Sequence, residues 1–288
     1  MPARRINTNQ IDLQIQDTAH PGQAIIFLHF SGANLMMWSR AVPYFQEDYR
    51  VILVDLRGHG RSDRPESGYH MDDMARDVLG IMDQLHLEQA HIIGSSLGAE
   101  VGLSMAASYP QRVLSLVCDG ALSSESGPYG TWDGSEAEFE AHVTGRLAKM
   151  RANPEKTFPS VDALLASRRE IFAPIGWWNE TVAAMERYGA YQISDNRYVG
   201  GLRKAALVDY MTHYFHYRFE EVYPRVQCPL LLVAEEEIED EREAAAMAGL
   251  CALAAQGEIR RIPGWQHPYG WLLDPEAICR EILDFLPK

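Results

Sequence analysis

Ala90-His91-Ile92-Ile93-Gly94-Ser95-Ser96-Leu97-Gly98-Ala99-Glu100-Val101 is the stretch that decides the fold. It reads as an apolar strand, a tight glycine turn with a serine at its tip, and the opening of a helix. Such a turn suits a serine nucleophile for two reasons. Small flanking residues permit a strained backbone that exposes the hydroxyl, and the helix aims its N-terminal dipole at an oxyanion forming beside it. The G-x-S-x-G spacing selects Ser96, not Ser95. Taken alone, the motif also fits a glycine-rich strand-to-helix connection without chemistry, so the rest of the chain has to decide.

Outward from this turn, apolar and β-branched runs at Ile11 to Gln16, Ala24 to His29, Val51 to Asp55, Ala90 to Gly94 and Val113 to Cys118 read as strands. Met71 to Leu85 reads as a helix, with Met74, Val78, Ile81, Met82 and Leu85 on one stripe. Ala99 to Tyr109 is a second helix, stopped by Pro110. Repeated strand-helix units predict a mostly parallel sheet flanked by helices. From about Leu122 to Arg225 the strand runs give way to helix-like segments rich in Gly, Pro and aromatics, which predicts an inserted helical cap over 122–225. Strands resume at Pro229 to Val233 and Gly257 to Ile262, and the amphipathic helix Pro275 to Leu286 closes the chain. Residues 1–121 and 226–288 would then form one core around a single sheet.

The 288 residues are 47% hydrophobic with a formal net charge of -14. That is enough chain for one large core, and the acidic balance disfavours nucleic acid and anionic membrane surfaces as partners. Met1-Pro2-Ala3-Arg4-Arg5-Ile6-Asn7 is basic without an apolar run behind it, and no later segment offers about 18 uninterrupted apolar residues. The expectation is a cytoplasmic protein. Cys118, Cys228, Cys251 and Cys279 are widely spaced without a C-x-x-C pair, as expected for buried reduced thiols rather than a disulfide framework or metal site.

With these motifs together, the chain resembles the α/β-hydrolase superfamily over nearly its whole length outside the cap. Phe27-Leu28-His29-Phe30-Ser31-Gly32 is similar to the family's oxyanion loop, and Asp55-Leu56-Arg57-Gly58-His59-Gly60-Arg61-Ser62 to its stretch after the next strand. Gly94 to Gly98 is similar to its nucleophile elbow. Ile262-Pro263-Gly264-Trp265-Gln266-His267, followed by Asp274-Pro275-Glu276 and a helix, is similar to its histidine loop, with an extra residue between histidine and helix. The implied fold is an α/β-hydrolase sheet with a helical cap inserted after the sixth strand.

A serine hydroxyl needs a base near its working pH, and an imidazole supplies one; the resemblance makes that base His267. The acid is where the chain departs from the commonest pattern. Aligning the turn after Leu230-Val233 puts Glu235 in place of a glycine and Ile238 in place of the acid. Asp119, at the end of Leu116-Val117-Cys118-Asp119-Gly120, occupies the strand end that supplies the acid in a minority of the superfamily. A carboxylate there is rigidly held and can fix the imidazole tautomer. Glu237, or less readily Glu239, is the alternative acid if the loop is shifted. The resemblance also implies an oxyanion hole of two backbone N–H groups, from Ser31 and Leu97. Phe30 stands where many relatives have glycine.

Asp55 and His59 read as organisers of their own loop, and His213 and His216 as cap packing rather than metal ligands. No cofactor and no metal is expected. Trp132, Phe172, Trp177, Trp178, Tyr188, Tyr191 and the Tyr210 to Phe219 cluster offer more aromatic surface than a small lid needs, so some of it should line a pocket for an apolar or aromatic small molecule. The resulting expectation is a serine hydrolase of a carboxylic ester or lactone acting through an acyl-enzyme; a homodimer is left open. Hydrolysis of a carbon-carbon bond in a ring-cleavage product uses the same groups and is one alternative. A slow-turnover ligand-binding protein on the same fold is the other, given the missing acid at the usual position.

Overall fold

The computed structural model describes residues 1–120, 122–236 and 240–287, so Glu237, Ile238 and Glu239 lie outside the described residues. The strands are β1 (Ala3–Thr8), β2 (Ile11–Asp17), β3 (Ala24–Leu28), β4 (Arg50–Val54), β5 (Ala90–Ser95), β6 (Val113–Asp119), β7 (Tyr191–Ser194), β8 (Arg197–Val199), β9 (Leu230–Glu235) and β10 (Gly257–Ile262). The helices are α1 (Val42–Phe45), α2 (Met71–Gln84), α3 (Leu97–Ser108), α4 (Glu136–Ala152), α5 (Val161–Phe172), α6 (Glu180–Gly189), α7 (Lys204–Tyr214), α8 (Phe219–Val222), α9 (Glu241–Cys251), α10 (Gly270–Leu273) and α11 (Glu276–Phe285).

Eight strands form one sheet in the order β1-β2-β4-β3-β5-β6-β9-β10. Within it β2 pairs antiparallel with β1 and β4, and the remaining pairings are parallel. The parallel strands are apolar nearly throughout because both faces are covered, and successive side chains point to opposite faces. Ile26, Leu28, Ile92, Leu116 and Leu232 pack with Val78 and Ile81 of α2 and Leu103 of α3. Their neighbours Ile25, Phe27, Ile93, Val117 and Val233 pack with Trp38, Trp271 and Ile278 and Ile282 of α11.

Two elements differ from the sequence expectation. β1 is a strand that the sequence does not announce, because among its six residues Ile6 alone is buried and the apolar alternation is missing. The stretch between β6 and β9 carries α4 to α8, but it also holds the hairpin β7–β8, where a strand-free segment was expected. Its turn is Asp195-Asn196, with Asn196 at φ +52°, a left-handed conformation that asparagine tolerates. α4, α5 and α6 each open on a side-chain cap, from Ser135 with Glu138, Ser160 and Asn179.

Parallel strands collect their carboxyl ends on one edge, where open α/β sheets place ligands. Ser31 follows β3, Ser96 follows β5, Asp119 ends β6, Glu235 ends β9 and His267 follows β10.

Candidate active site

Ser96 sits between β5 and α3 with φ +48° and ψ -118°, outside the regions an ordinary residue prefers. Two glycines make this turn sterically feasible. A Cβ on Gly94 would lie 2.4 Å from the Gly98 carbonyl, and one on Gly98 would lie 2.0 Å from the carbonyl oxygen of Leu28. The backbone N–H of Ser96 donates to the Asp119 carbonyl at 2.9 Å, tying the turn to β6. Among the described residues the Ser96 hydroxyl makes no hydrogen bond, so it is not joined to His267 in this structure.

Asp119 is fully buried and heavily solvated by protein donors. Ser95 Oγ and Trp271 Nε1 donate to Oδ2, each at 2.7 Å, and Trp265 Nε1 donates to Oδ1 at 2.8 Å. His267 Nδ1 lies 3.1 Å from Oδ1, at ion-pair distance but off the line of a hydrogen bond. Gly120, at φ +110°, leaves room for the imidazole: a Cβ there would stand 2.7 Å from the ring. Burial pushes the Asp119 carboxyl up, but the His267 charge and the donors Ser95 and Trp265 outweigh it and hold it below its ordinary value. Burial likewise pushes His267 down, yet Asp119 opposite it, with Glu235 and Glu243 further off, leaves it above the ordinary imidazole value.

The loop after β3 is held by two neutral histidines. His59 donates from Nδ1 to the Arg57 carbonyl and accepts at Nε2 from the Gly32 N–H at 3.0 Å. His29 donates to the Phe30 carbonyl and accepts from the Leu56 N–H. Burial lowers His29 to about 4 and, with His29 beside it, His59 well below the imidazole range. Asp55 accepts from the backbone N–H groups of Leu35 and Arg61 and from the Tyr188 hydroxyl. Asp55 and His59 therefore organise their own loop after β4, as expected, through Arg57 and Arg61, and they also tie it to the loop after β3 through Gly32 and Leu35. Among the described residues the N–H groups of Ser31 and Leu97 donate to no other group, as an oxyanion hole requires.

The histidine loop is fastened from outside by residues to which the sequence assigned no such role. Glu235 Oε1 accepts the backbone N–H of His267 at 3.0 Å, so the residue standing in for a glycine clamps this loop. Gln266 accepts from Trp177 Nε1 at 2.7 Å. Trp177 stacks on Tyr269 at 4.8 Å, and Phe172 and Phe30 meet the same ring at 5.0 and 5.5 Å. Other aromatics of the stretch pack elsewhere: Trp132 lies on Phe139, and Tyr210 donates to both oxygens of Glu100 on α3. His213 and His216 face different partners, His70 and Glu140. The unusual Glu235, and the indole at Trp265 in the histidine loop, were the available signals for this second set of contacts.

Residues 23–268 match the model of the alpha/beta hydrolase fold, and the chain belongs to that family. A stretch of 89 residues is 40% identical to 3-oxoadipate enol-lactonase 2 of Acinetobacter baylyi, covering 31% of this chain and 33% of that one. Another of 115 residues is 34% identical to 2-(acetamidomethylene)succinate hydrolase of Mesorhizobium japonicum, covering 40% and 41%. The matches thus span about a third to two fifths of these curated relatives. A crystal structure of E-2-(acetamidomethylene)succinate hydrolase superposes with a TM-score of 0.76 at 24% identity, covering 99% of this chain and 98% of that one, and shares the fold. Among the described residues no helix is long and apolar enough to cross a membrane, and no group of three or more His, Cys, Asp or Glu is arranged to hold a metal ion.

Proposed function

We propose that this chain is a serine hydrolase that cleaves a carboxylic ester or lactone of an apolar or aromatic small molecule. The observation that carries the reading is the pairing of His267 with the buried Asp119 at 3.1 Å, beside the strained turn that presents Ser96. Ser96 Oγ attacks the carbonyl while His267 takes its proton, and Asp119 holds the imidazole and stabilises its charged form. The N–H groups of Ser31 and Leu97 receive the oxyanion, each contributing about 3 kcal/mol in sites of this kind. His267 then protonates the leaving group, and water activated by the same imidazole releases the acid. This scheme uses no cofactor.

Two arginines, one after β4 and one on α5, are engaged by protein groups. Arg64 donates to the carbonyls of Gly58, Gly60 and Gly201, and Arg168 pairs with Glu186 at 3.2 Å. The aromatic group of Phe30, Phe172, Trp177 and Tyr269 supports an apolar or aromatic substrate, and the enol-lactonase relative supports a lactone among the candidates.

Intact-mass labelling with a fluorophosphonate, beside a panel of alkyl esters, aryl esters and lactones, tests the reading. One adduct per chain and turnover in the wild type are expected, with Ser96→Ala taking no adduct and losing at least about 10⁴-fold in kcat. No adduct and no turnover in the wild type would sink the proposal. Because the buried Asp119 charge facing the ring stabilises the imidazolium, the acid limb of kcat/KM is expected above the ordinary imidazole value, activity rising with pH as His267 becomes neutral.

A further inference from the structure

A carboxylate offers about four lone-pair positions, and around Asp119 four donors approach them. Ser95 and Trp271 share Oδ2, both at 2.7 Å. Trp265 and His267 converge on Oδ1, and the two are not equal. The indole N–H reaches it at 2.8 Å in an aligned hydrogen bond, whereas His267 Nδ1 stands 3.1 Å away, buried and without an aligned partner. The indole is fixed in place. It is buried, meets Trp271 edge-on at 5.3 Å, and fills space that Gly270 leaves open, since a Cβ there would lie 2.5 Å from its ring.

We propose that Trp265 is a positioning residue whose indole N–H shares Asp119 Oδ1 with His267 and so limits how tightly the carboxylate grips the imidazole. An indole does not ionise at working pH, so its claim on Oδ1 is constant. A naked carboxylate would bind the imidazolium more strongly and leave less of the neutral base at neutral pH. One held only by other donors would orient the ring poorly. The shared oxygen sets the balance between them. The charged groups that act most on His267 are Asp119 from β6, Glu235 from β9 and Glu243 from α9. Of these, Asp119 is the one to which the Trp265 N–H donates.

The inference rests on the catalytic reading above, but its principal readout does not, because the imidazole can be titrated by ¹H–¹⁵N NMR whether or not the chain turns over. In Trp265→Phe the His267 pKa is expected to rise by about half to one unit. The acid limb of kcat/KM for p-nitrophenyl butyrate should move with it, a loss of about three- to tenfold below both values and about twofold at most on the alkaline plateau. Trp271→Phe and Ser95→Ala, which remove donors from the other oxygen, should move His267 by less than half as much. If Trp265→Phe does not melt cooperatively, Trp265→3-benzothienylalanine keeps the shape and deletes the N–H alone. An unchanged or lowered His267 pKa, or an equal rise in Trp271→Phe, overturns the proposal. A shifted His267 in a chain that hydrolyses no ester and takes no fluorophosphonate would sink the serine-hydrolase reading and leave the shared oxygen standing.

Discussion

In the serine turn the restraints are backbone ones: Gly94 and Gly98 allow main chain to lie against main chain, and Ser96 hangs from the Asp119 carbonyl by its N–H. In the histidine loop they are side chains: Glu235 holds the His267 N–H, Trp177 holds Gln266, and Trp265 and Trp271 hold the carboxylate that the imidazole faces. Backbone restraints of this sort are all-or-none, because an added Cβ has nowhere to go. Side-chain restraints can be removed singly, and each should cost a fraction of the whole.

The largest effect is expected from Gly98→Ala, whose Cβ would sit 2.0 Å from the Leu28 oxygen. A fall in melting temperature of about 10 °C or more, with activity lost, would fit a clash against backbone. A wild-type melt by circular dichroism would break the account of the turn. Next, Asp119→Asn should lower kcat by about 10³-fold or more, while Glu237→Gln leaves it near wild type. The reverse pattern in steady-state kinetics would move the acid to the loop after β9.

Glu235→Ala is expected to lower kcat by about tenfold with KM little changed, since it frees the base without touching substrate. Glu235→Gln, which keeps an acceptor for the His267 N–H, should restore most of that loss. If both variants match the wild type, the loop does not need its clamp.

The smallest effect tests whether the helix behind Ser96 depends on a side-chain contact after all. Glu100 lies one turn into α3 and burial raises its carboxyl to about 8, against the lowering effect of the Tyr210 hydroxyl. The native chain therefore keeps a proton that the unfolded chain loses near the ordinary carboxyl value. Its stabilising share is complete below that value and disappears as pH rises through about 8. Glu100→Gln, which cannot ionise, should melt with the wild type near pH 5 and about 3 °C above it near pH 9. Parallel melting curves across that range would show that Glu100 does not titrate this way.

Much of the frame was legible because it is written locally. The runs ending at Gly94, Cys118 and Val233 and the stripe from Met74 to Leu85 announce their elements, and α3 begins at Leu97, within two residues of expectation. β1 was missed because one buried side chain makes no pattern, and β7–β8 because a short exposed hairpin has little apolar face to show. Glu235 stands out in the sequence as the residue in place of a glycine, but its hydrogen bond to His267 depends on the parallel pairing of β9 and β10, which brings the loop after β10 beside it.

By itself, then, the amino-acid sequence determined the turn at Ser96, the alternating strands and helices, and the two places where an acid could stand, Asp119 or the loop after β9. Those depend on neighbouring residues, through glycine sterics and side-chain period. Tertiary structure decided that Asp119 lies 3.1 Å from His267 and that two indoles and a serine hydroxyl surround its carboxylate. Strand order placed β6 beside β5 and β9, and a buried charge collects whatever donors that order brings within reach.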